Sequence, residues 1–253
     1  MGKIIAITNQ KGGVGKTTTS VNLTASLAVT KHKVLLIDID PQGNATMGCG
    51  IEKNDVEITT CDILLNERIA EDAIISLDGL GFDLMPANSD LTAAEVALTQ
   101  SDNKERRLAD ALKPHVEKYD FIIIDCPPSL NTLTLNALVA ADSVLIPMQC
   151  EYYALEGLSA LMDTLKQIRR TVNQKLELEG LLRTMFDSRS RLTREVSAQL
   201  VDHFENQVFR TCIPRNVRLA EAPSHGLPIN KYDKSSTGAK AYLALASEMS
   251  RRR

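Results

Sequence analysis

The feature that most constrains this chain is an eight-residue turn, Gln10-Lys11-Gly12-Gly13-Val14-Gly15-Lys16-Thr17, set between two strongly patterned segments. Before it, Lys3–Thr8 carries Ile4, Ile5 and Ile7 and reads as a short buried strand. After it, Lys16 to about Thr30 has helical spacing, with Val21, Leu23, Leu27 and Ala28 on the apolar face. Lys33–Ile39 then reads as a second buried strand. Strand, loop, helix, strand is the βαβ unit of a parallel sheet. A glycine loop that opens a helix is built for an anion, because the helix N-terminus presents free N–H groups and the positive end of its dipole. Gly12, Gly13 and Gly15, with Val14 among them, let the backbone wrap phosphates closely. Lys16 adds a point charge, the Thr17 hydroxyl suits Mg²⁺, and Thr18 and Thr19 continue the first turn. The expected ligand is therefore a Mg-nucleotide. The usual pattern G-x-x-x-x-G-K-[ST] is altered here: Gln10 stands at the first glycine position, and an additional lysine, Lys11, precedes the Gly-Gly pair, placed to reach across to a neighbouring nucleotide.

The remaining chain alternates in the same way. Helices are expected at Cys61–Leu65, Leu91–Leu98, Lys104–Lys118, Leu133–Ala141, about Leu155 to Val172, Thr193–Glu205 and about Ser236 to Ser250. Strands are expected at Gly81–Met85, Asp120–Asp125, Ser143–Pro147, Leu178–Met185 and Val208–Ile213. Residues 41–80 are less regular. No Pro/Gly/Ser linker, repeat or low-complexity run interrupts the pattern. The expected fold is α/β, a single doubly wound, mostly parallel sheet flanked by helices, as one domain over residues 1–253.

Two of these strands end in acids. The first runs into Asp38-Ile39-Asp40-Pro41-Gln42-Gly43-Asn44 and the second into Asp125-Cys126-Pro127-Pro128-Ser129. Ligands of parallel sheets bind beyond the carboxyl ends of the strands, so both acids are expected near the phosphates. A buried acid is costly unless it meets a cation or donors. Asp125 is expected to meet Mg²⁺ through water. Asp40 either positions the attacking water or forms the turn before Pro41. Asp38 is open to a structural role, bonding loop N–H groups.

No apolar run approaches the roughly 20 residues of a membrane span, and the first residues do not look like a signal peptide. The five cysteines are scattered with no CxxC pair, which fits a reduced cytosol. His32, His115, His203 and His225 share no metal spacing and are expected at the surface or in loops. Charge is uneven. Residues 183–253 hold 13 Lys/Arg and 7 Asp/Glu, a net of +6, whereas residues 1–182 hold 16 and 25, a net of −9. Charge alone leaves two readings open, a phosphate-backbone footprint or ordinary surface charge.

Lys11-Gly-Gly-Val-Gly-Lys-Thr-Thr-Thr19, Asp38-Ile-Asp-Pro-Gln-Gly-Asn44, Ile122-Ile-Ile-Asp-Cys-Pro-Pro-Ser129 and Ile213-Pro-Arg-Asn-Val-Arg-Leu-Ala-Glu-Ala-Pro-Ser-His-Gly226 together resemble the ParA/Soj partitioning ATPases, P-loop NTPases of the deviant Walker A, SIMIBI-like kind. The resemblance spans nearly the whole chain. It implies an ATPase using ATP and Mg²⁺, in which Lys11 contacts the phosphates held by the other subunit and ATP joins two monomers into a sandwich homodimer. It implies that Gly12 permits close approach of the two loops, that Lys16 and Thr17 bind phosphate and Mg²⁺, and that Asp40 is needed for hydrolysis but not for ATP binding. It places Asp125 near Mg²⁺ through water, and Pro214, Arg215 and Asn216 along the adenine. It implies non-specific binding of double-stranded DNA by the dimer, with Arg189 and Arg218 the first candidates and Arg191, Arg194, Lys231, Lys234 and Lys240 the second. It further implies stimulation by ParB bound to parS DNA, and a cytoplasmic, nucleoid-associated protein.

Three rival readings belong beside this one. A MinD-like ATPase docks on membranes through a C-terminal amphipathic helix; Tyr242, Leu243 and Leu245 offer no Phe or Trp wedge and are expected to pack on the sheet. A redox ATPase like the nitrogenase iron protein would need cluster cysteines at an interface, and Cys126 is expected instead to be a small core residue. A nucleotide-gated binding module with negligible turnover would leave Asp40 without a purpose. The absence of a helix-turn-helix segment before Lys3 argues against binding a specific operator.

Overall fold

Each strand expected from the sequence is present in the computed structural model, which describes residues 2–252, and the strands join in one sheet. They are β1 (Lys3–Ile7), β2 (Val34–Asp38), β3 (Ile75–Leu77), β4 (Phe82–Met85), β5 (Phe121–Asp125), β6 (Ser143–Gln149), β7 (Glu177–Phe186) and β8 (Val208–Pro214). Their order is β3-β4-β2-β5-β1-β6-β7-β8. All neighbours run parallel except β3 and β4. In β2 and β5 every residue is buried, the signature of strands covered on both faces.

The helices are α1 (Lys16–Val29), α2 (Asn44–Gly48), α3 (Thr60–Leu64), α4 (Ala70–Ala73), α5 (Leu91–Thr99), α6 (Arg107–Leu112), α7 (Thr132–Ala140), α8 (Ala154–Thr171), α9 (Arg191–Phe204), α10 (Val217–Glu221), α11 (Ile229–Tyr232) and α12 (Thr237–Arg252). Side chains alternate between two cores, as the strand period requires. Leu35, Ile37, Ile122 and Ile124 pack with residues of α3 and α5–α9 on one face. Leu36, Ile123, Ile5 and Ile7 pack with α1, α11 and α12 on the other. The sheet is therefore wound on both sides, as expected.

Local differences have physical causes. The helix expected over Lys104–Lys118 is only α6, followed by a 3-10 turn, Val116–Lys118. Pro114, which has no N–H to continue the ladder, lies between them. The irregular stretch 41–80 contains α2, α3, α4 and the edge strand β3. The segment after β8 holds α10, α11 and a 3-10 turn, Ala222–His225. Helix α1 buries its polar residues as well as its apolar ones: Thr19 Oγ1 meets Tyr242 Oη at 3.1 Å, and Asn22 Oδ1 accepts from Ile229 N at 2.6 Å. Neighbouring helices thus cover the face that spacing alone assigned to solvent. His115, in the turn before the 3-10 segment, is buried. Tyr242 and Leu245 pack on the sheet as expected, whereas Leu243 is exposed. No helix among the described residues is long and apolar enough to cross a membrane.

Candidate functional site

Strand β1 lies between β5 and β6, so the loop that follows it crosses the middle of the sheet's carboxyl edge. Gly13 and Gly15 have φ of 73° and 86°, a region in which a side chain is strained, and Gly15 caps the start of α1. Lys16 is buried, and its Nζ donates to the carbonyl of Lys11 at 3.3 Å. Burial lowers the Lys16 pKa, while the nearby Asp125 and Asp40 carboxylates oppose the shift. Thr17 and Thr18 are half-buried in the first turn of α1 and open on a cleft of about 590 Å³ shared with Asn44, Met47, Lys53 and Leu227.

The three aspartates converge beneath this loop and differ sharply in their partners. Asp38 is fully buried; its Oδ1 accepts from Asp40 N at 3.1 Å and its Oδ2 from Thr46 N and Thr46 Oγ1 at 2.9 and 2.8 Å. It ties the end of β2 to α2. Asp40 is buried at 7% exposure, and its Oδ1 accepts from Gln42 N at 3.0 Å while its carbonyl accepts from Gly43 N. One Asp40 oxygen and its carbonyl thus serve the turn that follows it. Asp125 is fully buried, with Oδ1 accepting from Ser20 Oγ at 2.7 Å and Oδ2 without a hydrogen-bond partner. Its pKa is pushed up to about 8, first by loss of water and then by the charge of Asp38, against the Ser20 and Thr17 hydroxyls. Asp38 is raised too, chiefly by burial. An orphaned buried carboxylate oxygen beside a threonine-bearing helix start suits a cation or its water, so the residues present fit Mg²⁺.

Lys11 and Lys16 have opposite settings. Lys11 stands half-exposed on the outer lip of the loop, its N–H bonded to Asn9 Oδ1 at 3.0 Å and its Nζ paired with Glu151 Oε2 at 2.6 Å. Gly12 is exposed, and a Cβ there meets nothing within 4 Å.

Among the basic candidates, Arg189 follows β7 and Arg218 lies on α10 after β8, while Arg191 and Arg194 are on α9, Lys231 on α11, Lys234 between α11 and α12, and Lys240 on α12. Arg189 is 90% exposed and holds Asp187 with two bonds of 2.9 and 3.0 Å. Arg215 is exposed near the same Asp187. Arg191 pairs with Glu195, and Arg218 with Glu221 at 2.8 Å and Asp233 at 3.8 Å. Arg194, Lys231, Lys234 and Lys240 are exposed and make no ion pair among the described residues. Asn216 does local work as well, capping α10 through Leu219 N and donating to Thr237 Oγ1 at 2.6 Å. Pro214 ends β8 beside Phe186. Cys126 is fully buried and its thiol is pushed well above its usual range by burial, which makes it a core residue.

Sequence reasoning missed four residues that shape the site. Ser20, one turn into α1, was legible from its spacing to Lys16. Glu151, Gln149 and Thr184 carried no local signal, because each reaches the loop only through the pairing of β6 and β7.

Comparison with known proteins accords with this geometry. Residues 2–178 match the family described as AAA domain. The chain is 55% identical to the sporulation initiation inhibitor protein Soj of Bacillus subtilis, covering 98% of each protein. It is 52% identical to the chromosome partitioning protein ParA of Myxococcus xanthus, covering 100% of this chain and 89% of that one. Among solved structures, cobyrinic acid a,c-diamide synthase from Mycobacterium smegmatis with bound ATP analogue and magnesium superposes with a TM-score of 0.87 at 35% identity, over 100% of this chain and 96% of that one. With its altered phosphate loop, its acids on the carboxyl edge and relatives of this identity over nearly the full length, the chain belongs to the ParA/Soj family of chromosome-partitioning ATPases.

Proposed function

We propose that this ATPase is a nucleotide-switched DNA clamp: two copies close on ATP, the pair binds double-stranded DNA without sequence preference, and hydrolysis stimulated by ParB at parS sites releases it. The observation that carries the reading is the contrast between Lys16, buried within its own loop, and Lys11, half-exposed and turned outward beside an open Gly12. A lysine that faced only its own nucleotide would have no need of the outer lip.

In this reading the N–H groups of residues 12–18 and the Lys16 ammonium hold the phosphates of ATP. Lys11 serves the phosphates of the second copy. Pro214, Arg215 and Asn216 flank the adenine. Thr17, Asp125 and Asp40 would hold Mg²⁺, which when bound would supply positive charge against the phosphate oxygens. Asp40, with one oxygen engaged by Gln42 N, uses the other to orient the attacking water or take its proton. Phosphoryl transfer asks mainly for positioning and charge neutralisation, so one acid suffices.

DNA contact falls to Arg189 and Arg218, supported by Arg191, Arg194, Lys231, Lys234 and Lys240. These residues lie on a segment with a net charge of +6. ATP leaves the basic patch of each copy unchanged and doubles it by pairing two copies, and the second contact then forms at high effective concentration. The protein works in the cytoplasm on the nucleoid.

The test is binding to a random duplex at low salt with ATP, ADP or no nucleotide, for the natural chain and Arg218→Glu. Binding only with ATP, abolished by the substitution while dimers persist, is the expected result. Indifference to DNA in every state, together with ATP-dependent capture by anionic vesicles, would replace this reading with a membrane-positioning ATPase.

A further inference from the structure

We infer that Thr184 is a positioning residue for the phosphate loop, aiming the loop's peptide planes from a strand two places away in the sheet. The inference rests on reading the loop as the nucleotide cradle. Thr184 is 3% exposed on β7, and its Oγ1 donates to the carbonyl of Val14 at 2.8 Å. From β6, Gln149 Nε2 donates to the carbonyl of Gly13 at 3.3 Å. Two neighbouring strands therefore hold two successive carbonyls of the loop.

A trans peptide is planar, so its C=O and N–H point in opposite directions. Holding the Gly13 carbonyl directs the Val14 N–H away from β6. Holding the Val14 carbonyl directs the Gly15 N–H away from β7. These are N–H groups an anion cradle must present. The glycines at φ 73° and 86° on either side of Val14 give the loop freedom to rotate these planes, and the side-chain bonds remove it.

Strand β7 is distorted where this happens. Met185, next to Thr184, has φ of 47°, a strained value for a non-glycine residue, and the pairing of β7 with β8 shifts between Arg183 and Phe186. Gln149 Nε2 also contacts the Met185 sulfur. The Thr184 methyl lies 3.9 Å from the position of a Cβ at Gly15, so the strand packs directly under the loop. A strand that only filled the sheet would have no reason to carry this bend.

The experiment compares the full chain with Thr184→Val, which keeps the shape and removes the donor, and Thr184→Ser, which keeps the donor. Equilibrium binding of fluorescent ATP and ADP analogues, steady-state ATP turnover and thermal unfolding without nucleotide are measured on each. Leaving Val14 O buried and unbonded weakens both nucleotides about tenfold. Because binding is weakened equally before and during reaction, KM rises by that factor while kcat stays within about twofold. Thr184→Ser stays within about threefold of the natural chain. Natural affinity in Thr184→Val overturns the inference. So does an equal loss in Thr184→Ser, which would assign the effect to methyl packing. If Thr184→Val does not fold, Gln149→Met carries the test: about threefold weaker nucleotide binding is expected, and unchanged binding overturns the inference. A natural chain that binds neither analogue would remove the cradle itself, and this role with it.

Discussion

Lys11 and Glu151 meet across 140 residues of sequence, Nζ to Oε2 at 2.6 Å, and both side chains remain about half exposed. An exposed pair of this kind contributes about 0–1 kcal/mol. It can therefore hold the lysine in place and release it cheaply. Glu151→Gln should leave the melting temperature of the nucleotide-free chain within about 2 °C, as differential scanning calorimetry would record. Lys11→Ala should keep ATP binding by the monomer and lose ATP-driven dimers in sedimentation velocity. Dimers that persist in Lys11→Ala would deny Lys11 its place at the second copy.

Substitution of Asp40 should separate binding from turnover. The Asp40 Oδ1 bond to Gln42 N belongs to the turn after β2, and in the proposed reading Lys16 with the loop amides holds the phosphates without it. Asp40→Ala should bind ATP within about threefold of the natural chain and hydrolyse it at least about 100-fold more slowly, the lower range of general acid–base contributions. Equal losses in nucleotide affinity and kcat/KM would make Asp40 a binding residue instead.

The arginines should show themselves through salt. A side chain that neutralises one DNA phosphate steepens the fall of log K with log salt by about 1. Arg189→Ala and Arg218→Ala should each flatten the slope by that amount per copy, on random and fixed sequences alike. Arg218 is held by Glu221 and Asp233, so part of its charge is offset at rest and Glu221→Gln should tighten DNA binding. A sequence-dependent change on removing either arginine would contradict backbone recognition.

The buried acids should set a pH dependence in the nucleotide-free protein. Asp125 rises from an ordinary 3.8 to about 8 and Asp38 to about 6, both led by burial. The folded chain then holds protons that the unfolded chain releases, so stability is greatest below the ordinary value and declines as pH climbs through the raised ones. Melting temperature should fall between pH 5 and 9. Asp125→Asn should flatten the upper part of that fall, and an unchanged profile in this variant would mean that Asp125 is already ionised in the fold.

Much of the fold was legible because its signals are local. Runs such as Ile122-Ile-Ile-Asp125 state a buried strand within five residues, and the loop from Gln10 to Thr17 states an anion site between a strand and a helix. Pro114 was equally local, and its break in the helix over 104–118 shows how one missing N–H outweighs good periodicity. The short elements between β2 and β5 were harder to read. Helix α3 is held by the Thr59–Asp62 capping box and by the Thr60 hydroxyl on the carbonyls of Asp38 and Pro86, the latter two bonds joining segments far apart in sequence.

The sequence by itself determined the strand–loop–helix unit, the two acid-tipped strands, the second lysine and the basic C-terminal third. These follow from side-chain period, glycine freedom and charge, all of which act over a few residues. Only the tertiary structure decided how each acid is bonded. Asp38 takes three donors, Asp40 shares one oxygen with a turn, and Asp125 keeps an oxygen unbonded, although all three are buried acids at or just beyond the ends of β2 and β5. It also decided that Glu151, Gln149 and Thr184 reach a loop 136 to 170 residues away. That depends on β6 and β7 pairing beside β1 in one register, and strand register is set by the packing of the whole sheet.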